Sequence, residues 1–128
     1  MVMIRNILFV ALGGAIGSAL RYIISKWIND AINGSFPLGT MVVNIIGCLF
    51  IGLFYGMTER FGLKGEATLL LTVGFCGGFT TFSTFMNENL SLLRFGNFAH
   101  VALYTGGSVV IGLLAVYLGK LIFDIVLK

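Results

Sequence analysis

The chain has 128 residues, of which 58% are hydrophobic and only 10% charged, with a formal net charge of +3, and its mean hydropathy is +1.02. So little charge cannot cover the surface of a soluble domain, and without a basic run no nucleic-acid partner is expected. The composition predicts an all-α integral membrane protein, a single four-helix transmembrane domain over residues 1–128 with almost nothing outside the bilayer.

A spanning helix needs about 20 mostly apolar residues. Four stretches qualify: Asn6–Trp27, Leu38–Thr58, Ala67 to about Leu93, and Phe98–Phe123. Short polar joints connect them, and the first joint holds the only proline, Pro37. The first stretch is not expected to be a cleaved signal peptide, because no polar break leads from it into a mature domain and further apolar stretches follow. It contains the pair Gly13 and Gly17, and "GGAIGSALRY" ends near Arg21. A charge inside the membrane costs about 2.5–3.5 kcal/mol on insertion scales. Arg21 therefore reads either as an interfacial side chain reaching for water or as a cation at the mouth of an anion path.

The second stretch carries Thr40 and Asn44 on one helix face at i, i+4. Asn44 offers two N–H donors and a carbonyl acceptor, which suit either a bridge between helices or contact with a passing anion. Gly52 and Gly56 form a second small-residue pair, and both pairs let backbones approach closely, within a bundle or between subunits. Cys48 here and Cys76 in the third stretch read as small packing residues.

The third stretch contains "GFCGGFTTFSTF", Gly74–Phe85. Gly-Gly and Thr-Thr are poor helix formers, and Thr80, Thr81, Ser83 and Thr84 crowd hydroxyls into five residues. A break at Gly77–Thr80 would free backbone groups at mid-membrane, where only protein or bound ions could satisfy them. An ion site is expected there. Phe75, Phe79, Phe82 and Phe85 are spaced to share one broad face of a continuous helix, and ring edges are positive enough to touch an anion without holding it tightly. Glu88 and Asn89 add polar groups toward the end of this stretch. The fourth stretch places Tyr104 and Ser108 at i, i+4 and is punctuated by Gly106, Gly107 and Gly112. His100 reads as a polar residue at a helix end.

An even number of spans puts both termini on one side. Arg5, Arg60, Lys64, Lys120 and Lys128 fall there, against Lys26 and Arg94 opposite, so the positive-inside rule leans toward cytoplasmic termini. No nucleophile–base pair, phosphate loop or metal-ligand cluster is present, so an enzyme is not expected.

Three motifs, "GGAIGSALRY", "GTMVVNIIGCLFIG" and "GFCGGFTTFSTF", occur in order on the first three stretches, and with them the sequence resembles the Fluc (CrcB-type) fluoride channel family over its whole length, most weakly in the fourth stretch. The resemblance implies an antiparallel, dual-topology homodimer in a bacterial inner membrane, with lipid around it, a third helix broken near its centre and two fluoride paths. It implies a structural Na+ at the dimer interface, held by the backbone carbonyls of Gly77 and Thr80. It implies a fluoride pathway with Phe82 and Phe85 as an aromatic box, Asn44 and Arg21 as pathway residues, and Ser83, Thr84, Tyr104 and Ser108 as a polar track, with Thr40 nearby. The sequence departs from some members at Gly112, where they carry a hydroxyl. The implied activity is passive, selective export of cytoplasmic fluoride. The alternatives are a proton-coupled small multidrug-type transporter, which would want a carboxylate in the first span, or a membrane assembly subunit that transports nothing.

Overall fold

Residues 1–126 are described by the computed structural model, and their regular elements are all helical; Lys128, counted in the charge balance, lies outside the described residues. Helices α1 (Val2–Ala31) and α2 (Leu38–Phe61) make the first two passes. The third pass is composite: α3 (Glu66–Leu69), a π-helical stretch (Leu70–Cys76), α4 (Gly77–Phe79) and α5 (Ser83–Arg94). Helix α6 (Phe98–Val126) makes the fourth. All four passes are long and apolar enough to cross a membrane. They run three or four residues beyond the apolar stretches at both ends of α1 and at the C-terminal ends of α2 and α6, and one residue at each end of the third pass. Apolarity sets how much helix lipid can surround, whereas backbone hydrogen bonding sets where the helix stops.

The stops have local causes. Gly62 takes the left-handed conformation at φ 64°, ψ 30° after α2. After α5, Gly96 at φ 70° lets its own N–H reach the Leu93 carbonyl and the Asn97 N–H reach that of Leu92. This paired closure satisfies carbonyls that the helix end would leave open. At the start of α2 the Gly39 N–H donates to Asn29 Oδ1 at 3.0 Å, so the end of α1 caps its neighbour.

Ion pairs tie the ends of the bundle. Arg5 pairs with Glu66 and Lys120 with Glu59 at 3.1 Å, which gathers the start of α1, the end of α2, the start of α3 and the end of α6 at one end. Within α1, Lys26 and Asp30 pair near the other end.

Small residues set the spacing of the passes. A Cβ built on Gly17 would collide with the Phe75 carbonyl and lie 2.9 Å from the Phe79 nitrogen, and one on Gly78 would lie 2.7 Å from the Gly14 carbonyl oxygen. The first pass therefore lies backbone to backbone on the π-helical stretch and α4. Gly52 of α2 meets the Val116 carbonyl of α6 in the same way, and Gly119 returns the contact at Leu49. Both small-residue pairs are thus used inside the bundle, which is where lipid-embedded helices gain dispersion contact. Val43, Phe79 and Tyr104 are the large side chains most fully enclosed. Most other large apolar groups, among them Leu12, Trp27 and Leu113, point outward, as suits a lipid-facing exterior.

Candidate functional site

Helical backbone ends at Phe79 and resumes at Ser83. Gly77 is helical, at φ −62°, ψ −35°, and the extended residue is Thr80, at φ −94°, ψ 162°. The departure from helix thus begins at the last residue of Gly77–Thr80 and runs on to Phe82. Gly78, fitted closely on Gly14, stays helical, and the helix is left at Thr80, whose methyl packs against Gly47. Thr80 keeps its N–H and its hydroxyl on the Cys76 carbonyl, at 3.0 and 2.9 Å.

Neighbouring passes serve the groups that this joint releases. Asn44 of α2 forms a reciprocal clasp with Thr81: its Oδ1 accepts the Thr81 N–H at 2.8 Å, and its Nδ2 donates to the Thr81 carbonyl at 3.1 Å. Arg21 of α1 donates from Nε to the Gly78 carbonyl at 2.9 Å. The Thr84 N–H turns to Thr81 Oγ1 at 3.3 Å. Because the N–H groups of Thr81 and Thr84 are engaged this way, the carbonyls four residues before them, Gly77 and Thr80, lose the donors a continuing helix would supply.

Beside the joint is a cavity of about 260 Å³ lined by Asn44, Cys48, Thr80, Thr81, Phe82, Phe85, Ser108 and Val109. The Ser108 hydroxyl at its wall is buried without a hydrogen-bond partner, as is the Tyr104 hydroxyl further along α6. Phe85 packs against Tyr104 edge to face, with centroids 4.8 Å apart. Thr40 donates to Glu88 Oε1 at 2.5 Å, and Glu88 lines a separate hollow of about 350 Å³ at the end of the bundle where α1 meets α2. Thr105 donates to Asn89 Oδ1 at 3.1 Å, fixing α5 on α6.

The structure thus brings together Asn44, Thr80, Phe82, Phe85 and Ser108, with Tyr104 against Phe85 and Thr40 on Glu88. Arg21 reaches the joint from the α1 side. Ser83 and Thr84 are exposed on the single chain, and Phe82 keeps 62% of its surface. The four phenylalanines do not share a face. Phe75 and Phe79 stack at 5.6 Å inside a cluster with Phe50, while Phe82 and Phe85 lie beyond the joint, tilted against each other at 6.0 Å. The extended Thr80 breaks the helical period on which a common stripe depends. Thr81 and Glu88 stand out in the sequence as polar residues, but not in the roles they take: the Thr81 backbone as partner of Asn44, and Glu88 as the acceptor for Thr40.

Residues 8–120 match the family model described as CrcB-like protein, Camphor Resistance (CrcB). The chain is 48% identical over 115 residues to a Phocaeicola vulgatus protein named fluoride-specific ion channel FluC, covering 90% of this chain and 95% of that one. A Bacteroides fragilis protein of the same name is 48% identical over 118 residues, covering 90% and 93%. One from Thermus thermophilus is 44% identical over 116 residues, covering 91% of each.

Proposed function

The chain belongs to the CrcB-like family, and from that premise we propose that it is a multi-pass membrane channel selective for fluoride, which it passes outward down its electrochemical gradient. Passage needs no covalent chemistry. The observation that carries the reading is the cavity at the α4–α5 joint, where hydrogen-bond donors and ring edges converge inside an apolar bundle. Asn44 retains one amide hydrogen after its clasp with Thr81, and Ser108 has a hydroxyl with no partner. Such donors replace the hydration of a small, hard anion, while a narrow path refuses larger ones. Phe82 and Phe85 contribute ring edges, which attract an anion weakly enough to release it. Arg21 adds positive potential behind the joint. Tyr104, whose hydroxyl has no partner, and Ser83 and Thr84 would extend the donors as a polar track, with Thr40, engaged by Glu88, nearby.

In this reading the third pass is broken near its centre so that two chains can meet there in antiparallel orientation. Gly77 is exposed, a Cβ on it would meet nothing within 4 Å, and Phe82 is open on one side. A second copy supplies the missing wall. The Gly77 and Thr80 carbonyls, without their helical donors, suit an oxygen-ligated hard cation, and they would hold the structural sodium ion. That ion would fix the two broken passes against each other. The setting is the inner membrane of a bacterium, where fluoride entering as neutral HF dissociates in a less acidic cytoplasm.

The test is efflux from potassium-loaded vesicles on addition of valinomycin: rapid for fluoride, negligible for chloride and for a cationic dye. Equal fluoride and chloride rates would overturn the reading. Orientation is tested by labelling one engineered cysteine near the C-terminus in intact cells, with Cys48 and Cys76 replaced by serine. About half the sites should react from each side if insertion is equal; labelling from one side alone contradicts the antiparallel homodimer.

A further inference from the structure

Cys48 looks like packing in the sequence, but it forms part of the cavity wall. It follows Asn44 by one turn of α2, so the two side chains share a face, and both line the cavity that holds Ser108, Phe82 and Phe85. On the facing helix, the residue one turn after Ser108 is Gly112, which brings no side chain. A Cβ built on Gly112 would lie 3.3 Å from Cys48 Sγ. The thiol from α2 therefore stands against the space into which α6 would otherwise project a group. Cys48 also borders the adjoining cavity of about 250 Å³, whose wall includes Cys76, Gly77 and Thr80. With Thr80, it is one of the two residues that line both the donor cavity and the cavity beside the carbonyls without helical partners.

The donors that face the first cavity can be counted. Ser108 has an O–H with no partner, Asn44 has one N–H left, the Thr81 hydroxyl accepts from the Thr84 N–H and keeps its own O–H, and Cys48 has an S–H, a weak donor on a polarizable atom. Resting on the fluoride-channel reading, we infer that Cys48 is a pathway residue whose thiol donates to the passing anion in the turn where α6 offers only Gly112. Cys76 borders the second cavity but not the first, so its thiol has no such role.

The test compares fluoride efflux and size-exclusion elution for wild type, Cys48→Ala, Cys48→Val, Cys48→Ser, Cys76→Ala and the double variant Cys48→Ala/Gly112→Ser. Cys48→Ala and Cys48→Val should elute as wild type and conduct about threefold to tenfold more slowly, the effect of losing one uncharged donor. Cys48→Ser, which substitutes a stronger donor, and Cys76→Ala should conduct at least at about the wild-type rate. The double variant, which returns a hydroxyl from the opposite helix to the emptied space, should recover to within about twofold of wild type. Should the alanine variant fail to fold, Cys48→Val against Cys48→Ser makes the same comparison. Equal rates for valine and serine, or a wild-type rate for Cys48→Ala, would overturn the inference and leave the channel reading standing. Absence of fluoride efflux from wild type would overturn both.

Discussion

Replacing Asn44 with leucine removes a side chain that serves two backbone groups at once. The Thr81 N–H loses its acceptor at 2.8 Å and the Thr81 carbonyl its donor at 3.1 Å. Leucine has nearly the same shape and can satisfy neither. Each orphaned buried polar group costs about 1–3 kcal/mol, so the pair costs about 2–6 kcal/mol unless the chain rearranges. The nearest rearrangement returns the Thr81 N–H to the Gly77 carbonyl, continuing the helix through Thr80 and closing the cavity. Either outcome predicts a lower midpoint when the detergent-solubilised protein is heated and the surviving fraction read by size exclusion, together with loss of fluoride efflux. An Asn44→Leu protein that melts with wild type and conducts normally would show that the clasp neither holds the joint nor touches the path. Asn44→Asp adds an electrostatic part, while leaving the Thr81 carbonyl without its donor as leucine does. It still accepts from Thr81 but places a negative charge where the anion passes, so efflux should collapse even in protein that elutes normally.

Other substitutions follow from the same geometry. Gly78→Val drives a branched side chain into the Gly14 backbone, at 2.7 Å from its carbonyl oxygen for the Cβ alone, and should lower folded yield sharply, whereas Gly77→Val meets open space within the chain and should fold but fail to pair. A Gly77→Val protein that elutes as a dimer and conducts normally would remove the second chain from that face. Phe85→Ile keeps apolar bulk but loses the ring edge and the contact with Tyr104, a term of about 1.5 kcal/mol at most, so efflux should fall up to about tenfold with dimerisation intact. Phe82→Ile gives up only the looser tilted contact with Phe85 at 6.0 Å, on a ring that is largely exposed in the single chain, and should reduce efflux with little change in the thermal midpoint of the protomer. Normal efflux from both variants would mean that the rings only pack. Thr80→Ser preserves the carbonyl and the hydroxyl that bonds Cys76, and its efflux should stay within about twofold of wild type.

The four passes were legible because apolar length is a property of the chain alone, and so was the poor helix propensity around Gly77–Thr84. The identity of the extended residue was not. Gly78, the weakest helix former by propensity, stays helical, fitted closely on Gly14 of another pass, and the departure falls on a threonine whose own N–H and hydroxyl stay on Cys76. The stripe of four phenylalanines presumed an unbroken period, and a single extended residue divides it. Asn44 was recognisable as a residue in need of partners. That its partner is the Thr81 backbone, 37 residues on, depends on how two passes lean together, and the same holds for Thr40 and Glu88. Cys48 read as a packing residue for a related reason: that it borders the cavity beside Gly112 depends on how α2 and α6 pack.

Selective passage of fluoride is tested by the reversal potential of the wild-type protein in a planar bilayer with fluoride on one side and chloride on the other. The expected current is carried by fluoride alone, with a reversal potential that follows the fluoride gradient and ignores chloride. A reversal potential near zero under equal opposing concentrations, or one that tracks chloride, would contradict it.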